Sequence, residues 1–184
     1  MNIRKTKEQK QKECGPLLLF FFLRILSHFC IMYSRQEASQ LRQEFWTAFG
    51  LYMQPIPSAE GDKVNWINYK TGEKDIFFRM SAGTGRAFIA LQLAHRDEGI
   101  RQIYYEQLLQ FRPLLEGDAE TIWEWTAASE DEEGRPFAGA WQAAEGVSIF
   151  RREDWPALIS FFKPRLLELD RFWSEAKYVF ETLR

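Results

Sequence analysis

Apolar residues recur three and four apart from Ala38 through Leu41, Phe45, Ala48 and Phe49 to Tyr52, the spacing of one helix face, which predicts a helix over residues 34–53. Ser34 stands where an N-cap belongs, Glu37 completes a capping box three residues later, and Tyr33 and Ala38 supply a weak staple. Gly50 and the Pro55-Ile56-Pro57 stretch close this helix. The period then shortens to two. Residues 64–69 alternate, with Trp66 and Ile67 on opposite faces, and predict a first strand. Lys70-Thr71-Gly72-Glu73 is the turn, residues 75–80 the second strand, and a Gly-rich connection leads to a third over 87–94. These spacings describe an antiparallel meander. The third strand, AFIALQLA, is apolar at nearly every position, which places it at the centre of the sheet with both faces covered.

Asp97 and Glu98 open a second helix, where acidic groups complement the positive end of the dipole. Its inward side is read as Ile100, Ile103, Tyr104, Leu108 and Phe111, and Pro113 and Gly117 end it. Fourth and fifth strands follow over 121–128 and 137–144, separated by an acidic tip at 130–133 and Gly134. Asp154 is the expected cap of the last helix. There Trp155, Ile159, Phe162, Leu166, Leu169, Trp173, Ala176, Phe180 and Leu183 hold a period of about 3.5 residues. Pro164 cannot donate to the Ser160 carbonyl, so a kink or break is expected inside it. The fold class is therefore α+β: helix, three-stranded antiparallel meander, helix, two further strands and a long C-terminal helix. The seam on that last helix suits shallow packing on another helix, and a homodimer through it is expected. The alternative is that the first and second helices cover the seam within one chain.

Ahead of this pattern stands a leader, residues 1–31, with six basic and two acidic residues, a balance of +4. The remaining residues hold 18 basic and 24 acidic groups, a balance of −6, which disfavours bulk attraction to polyphosphate unless the basic groups are segregated. The leader's apolar run LLLFFFL resembles the centre of a signal peptide, but Arg24 interrupts the apolar stretch and no small-x-small site follows. The run is also too short to span a bilayer. Met32, directly before the helix start, is the better beginning, and a chain starting there is expected to fold alone. The domain is thus residues 32–184, not membrane-bound. Both cysteines, Cys14 and Cys30, lie in the leader, so the domain has no disulfide framework and a cytoplasmic address is expected. Seven Trp and sixteen Phe exceed what one core of this size takes, and some belong at a groove or contact.

Chemistry is sparse. His95-Arg96-Asp97 spells a kinase catalytic loop without its Asn or any DFG, and reads as a strand exit and helix cap. His95 is the domain's single histidine, too little for a zinc site or a supported triad. Gly83-Thr84-Gly85 lacks a following G-K-[ST] and is a turn, not a phosphate loop. The element order resembles the restriction-endonuclease-like PD-(D/E)xK core, which holds a divalent metal between acids on its second and third strands. Asp75 opens the second strand, but Gln92-Leu93-Ala94 occupies the place of Glu-x-Lys, leaving neither the second charge nor the ammonium. Asp75, Gln92 and His95 are therefore weak catalytic candidates, and no metal or other cofactor is expected. For nucleic acid, Arg79, Arg86, Arg96 and Arg101 are expected to cluster at one end of the sheet, with Arg151 and Arg152 as a second basic pair and aromatic neighbours for stacking.

A further likeness rests on Phe45-Trp46-Thr47-Ala48-Phe49, Trp66-Ile67-Asn68-Tyr69 and FIALQLAHRD at 88–97, then on Trp123-Glu124-Trp125, IFRREDWP at 149–156 and Phe172-Trp173. In this order they resemble the bacterial domain of unknown function (DUF) 4268 family over residues 33–180. The resemblance implies a stand-alone version of a module that elsewhere follows nuclease-like domains, linked to nucleic-acid defence or processing, and it carries across no catalytic residues. The function expected is a non-catalytic interaction or accessory domain; the alternatives are a nucleic-acid-binding module or a degenerate nuclease.

Overall fold

A computed structural model describes residues 34–117, 122–131 and 134–182. The leader, the expected start at Met32, the staple residue Tyr33 and the last seam residue Leu183 lie outside the described residues. Helix α1, Arg35–Met53, buries Phe45, Phe49 and Met53. Its face is turned slightly from the expected one, since Ala48 and Tyr52 are exposed.

Residues 64–69 form no strand. Trp66–Asn68 is a single 3-10 turn, because the Asn65 side chain accepts the backbone N–H groups of Ile67 and Asn68. That local bonding competes with a sheet ladder. Trp66 drops into the core and donates its indole N–H to the Ile56 carbonyl at 2.9 Å.

Strands β1 (Ile76–Ala82) and β2 (Arg86–Leu93) make one hairpin. Helices α2 (Glu98–Gln110) and α3 (Arg112–Glu116) lead to a second hairpin, β3 (Glu124–Glu130) and β4 (Pro136–Glu145). The sheet order is β1-β2-β4-β3, antiparallel throughout. The expected meander and two further strands are thus two hairpins joined through β2 and β4. With the strand at 64–69 gone, the order loses the element on which its likeness to the restriction-endonuclease-like core rested.

Side chains alternate across the strands. One face, carrying Ile76, Phe78, Ile89, Leu91, Leu93, Ala138 and Ala140, joins the helices in a single apolar core. Helix α2 begins as expected, with the Asp97 carboxylate accepting the Ile100 N–H at 2.9 Å. Its inward stripe is Arg101, Tyr105 and Leu108, however, and Ile100 and Ile103 are 39% and 55% exposed. Arg101 sets this rotation by donating to the His95 carbonyl at 2.8 Å, across the β2–α2 turn.

Helix α4, Trp155–Glu181, runs unbroken through Pro164. Ser160 and Pro164 are both exposed, so the carbonyl that lacks a helical donor faces water and its cost stays small. The seam residues Phe162, Leu166, Leu169, Trp173, Ala176 and Phe180 are buried within the chain. Rings from α1 and α2 lie on it: Phe45 and Phe49 on Phe162, and Tyr104 on Phe180. A homodimer through α4 would have to use the outer side of the helix, where Tyr178 is 56% exposed. No helix among the described residues is long and apolar enough to cross a membrane.

Helix α4 also organises the long connection between α1 and β1. The Asp170 carboxylate, 3% exposed, accepts the Ala59 N–H and the Tyr69 hydroxyl, each at 2.6 Å. Trp173 donates to the Thr71 carbonyl at 2.7 Å, and Lys177 bridges Glu60 at 2.6 Å. Burial, the hydrogen bond to Asp170 and the nearby carboxylate charges push the Tyr69 phenol far above the ordinary tyrosine range. A pKa raised on folding gives stability that is complete below the unfolded value, about 10 for tyrosine, and is lost as pH climbs beyond it. The urea midpoint should therefore fall between pH 9 and 11, and fall less in Tyr69→Phe. Parallel decline in both proteins would show that Tyr69 does not govern the alkaline limb.

Candidate nucleic-acid interface

The same alternation that fills the core aims a second set of side chains the other way. Phe77, Arg79 and Ser81 of β1 stand opposite Gln92, Ala90 and Phe88 of β2. Across β2, those three meet Gly139, Trp141 and Ala143 of β4. None of these side chains belongs to the apolar core beneath the sheet. No helix among the described residues packs on this face.

The face carries rings and guanidiniums in contact. Phe88 and Trp141 stack with centroids 5.5 Å apart, and Phe137 meets Phe88 edge-on at 6.4 Å. The Arg79 guanidinium lies 4.3 Å from the Phe77 centroid, and that of Arg86 lies 5.6 Å from Trp141. Arg86 also pairs with Glu145 at 3.0 Å, and Arg135, at the β3–β4 tip, with Asp131 at 2.6 Å. Arg79 and Arg96 are exposed and make no ion pair among the described residues. Two adjoining hollows, about 280 and 400 Å3, open on this face and share Arg79, Gln92, Asp131 and Arg135.

Of the six arginines singled out from the sequence, Arg79, Arg86 and Arg96 come to this face and three do not. Arg101 is 7% exposed and holds the β2–α2 turn. Arg151 is taken up by Asp154 at 2.6 Å and the Gly146 carbonyl at 2.9 Å. Arg152 pairs with Glu44 of α1 and lies 4.8 Å from the Trp155 centroid. The second basic pair therefore fastens the start of α4 and does not extend the basic face.

The catalytic candidates divide as well. Asp75 and His95 meet at the end of the sheet, with His95 Nε2 4.0 Å from an Asp75 carboxylate oxygen. Asp75 holds a left-handed backbone, φ 62°, and its carbonyl accepts the Ala94 N–H at 2.7 Å. His95 Nδ1 accepts the Asp97 N–H at 3.0 Å, which directs the other ring nitrogen towards Asp75. Gln92 sits inside the aromatic face, two positions up β2 from Ala94, and is 3% exposed. Among the described residues no three His, Cys, Asp or Glu side chains are grouped as metal ligands.

Sequence reasoning missed Arg135 and the ring platform of Phe77, Phe88, Phe137 and Trp141. The available signal was the alternation Phe137-Gly139-Trp141, which β4 carries opposite to Ala138 and Ala140.

Fold and face together define an α+β domain whose four-stranded sheet is backed by helices on one side and carries a ring-and-arginine platform on the other. The chain belongs to the family described as Domain of unknown function (DUF4268), whose model matches residues 41–177, from the middle of α1 to near the end of α4. No curated protein and no solved structure matches the chain.

Proposed function

We propose that this is a non-catalytic binding domain for single-stranded nucleic acid, with the helix-free sheet face as its ligand surface. The observation that carries the reading is the contact of Arg79 and Arg86 with Phe77 and Trp141 beside the stacked Phe88–Trp141 pair. Unpaired bases stack on such rings for about 1–3 kcal/mol each, and arginine adds a cation–π contribution while meeting phosphate. A duplex hides its base faces and gains little here. The net negative charge of the domain limits non-specific attraction and leaves the local face to select the ligand. A place beside nucleic-acid defence or processing systems, as a binding accessory, agrees with this chemistry.

Fluorescence anisotropy with labelled single strands tests it. Trp141→Ala and Arg79→Ala should each weaken binding by about tenfold, while Arg151→Ala and Arg152→Ala leave it unchanged. The two free guanidiniums give a log–log salt slope of about −1.4, at about 0.7 per phosphate neutralised. Equal losses at Arg151 and Trp141, or no binding at low salt, would defeat the reading. Magnesium-dependent cleavage of the strands would favour the nuclease instead.

A further inference from the structure

Gln92 is the odd residue of the face. It lies in the central strand β2, is 3% exposed, and its side-chain amide makes no hydrogen bond among the described residues. Both hollows are lined by it. Its amide nitrogen and oxygen are not sealed off, so solvent reaches them through the hollows and a ligand there would take the place of that water. Its surroundings show what such a ligand would meet. Phe88 lines the first hollow, Phe77 and Phe137 the second, and Arg79 and Arg135 line both, with Arg96 beside the second. The hollows sit near the lower end of small-ligand sites, about 300–1,000 Å3.

We propose that the two adjoining hollows together receive one nucleobase of the bound strand and that Gln92 reads its edge, adenine being preferred. The inference rests on the nucleic-acid reading above and adds a specificity residue to it. The amide offers one donor and one acceptor side by side, the complement of the adenine N6 amine and N7. The aromatic walls hold the ring faces, and Arg79 and Arg96, both without ion-pair partners among the described residues, meet the flanking phosphates. Asp131 is occupied by Arg135, so its charge is largely answered before a phosphate arrives. Hypoxanthine in place of adenine sets a second acceptor beside N7, and the amide then satisfies only one of the two.

The test compares anisotropy titrations of an oligodeoxyadenylate with the same strand carrying hypoxanthine at every base, using the wild-type chain and Gln92→Met. Methionine keeps the length and apolar fill but has no amide. The wild type should favour adenine by about tenfold, the usual worth of a bidentate base contact. In Gln92→Met the preference should fall below about twofold while hypoxanthine binding persists. A purely structural role for Gln92 would weaken both ligands alike and keep their ratio. Equal wild-type affinity for the two strands overturns this inference and leaves the proposed function standing. Binding of neither strand overturns both. The wild-type comparison decides the matter even where the methionine variant fails to fold.

Discussion

Gly139→Ala is expected to abolish folding, or to cost about 4 kcal/mol or more, beyond the range of ordinary point substitutions. Gly139 sits inside β4, paired with Gln92 on one side and Thr126 on the other, at φ 146°. A Cβ built there meets the Leu91 carbonyl oxygen at 2.0 Å and the Leu91 carbonyl carbon at 3.1 Å. Both are backbone atoms of the neighbouring strand, so no side-chain rotation relieves the overlap. The β2–β4 ladder must open at its middle, under the apolar core and beside Gln92. Gly134→Ala is the matched control: it also has positive φ, 73°, but a Cβ there meets nothing within 4 Å. That change should cost only the backbone penalty, about 1–3 kcal/mol. Soluble yield, far-ultraviolet circular dichroism and thermal midpoint of the two variants decide it. A Gly139→Ala midpoint equal to that of the control would mean the strands are not so closely apposed.

The second large effect is at Asp170. Alanine there should lower stability by about 3–5 kcal/mol, because two donors lose their shared acceptor together. One is the Ala59 N–H and the other the Tyr69 hydroxyl, both in the connection that α4 holds against the core. Asparagine keeps one acceptor and turns its amine towards the other donor, so about half the loss should remain. Urea midpoints give the ranking wild type, Asn, Ala. Hydrogen exchange at Ala59 should rise most in the alanine variant, and oligonucleotide binding by the folded fraction should be unchanged, since Asp170 lies on the helical side. Wild-type stability in Asp170→Ala would show that the connection is held by Trp66, Trp173 and the Lys177–Glu60 bridge without Asp170.

Periodicity carried most of the architecture. The helix face of α4, the Phe45–Phe49 part of that of α1, the central place of β2 and the β3–β4 hairpin follow from apolar spacing. What failed did so where a polar side chain set local geometry. Asn65 folds its own backbone into a turn at 65–68, and nothing in the alternation around Trp66 shows that. The sequence places Arg101 at the surface, yet its bond to the His95 carbonyl accompanies a turn of α2 that puts Ile100 and Ile103 outside. The candidate face was half legible. Nearness to β2 groups Arg79, Arg86, Arg96 and Arg101, and of these the first three lie on the face while Arg101 does not. The rings are harder to read, because β2 is apolar on both sides and only the alternation of large and small residues in β4 separates platform from core. The sequence shows Gln92 only as a missing acid; its place in the wall of both hollows is visible only in three dimensions.

The strand order has a consequence for how the chain reaches this state. Hairpins β1–β2 and β3–β4 close across short turns, but β2 and β4 are separated in sequence by α2, α3 and β3. Local pairings form early, and distant ones wait on the entropy of closing the intervening chain. The slow event is therefore the meeting of two preformed hairpins. Until it happens, the inner edges of β2 and β4 are open templates, with Phe88, Phe137 and Trp141 exposed beside them. Losses to aggregation during synthesis are set by the length of that interval, and a faster meeting of β2 with β4 would raise yield without making the finished domain any more stable.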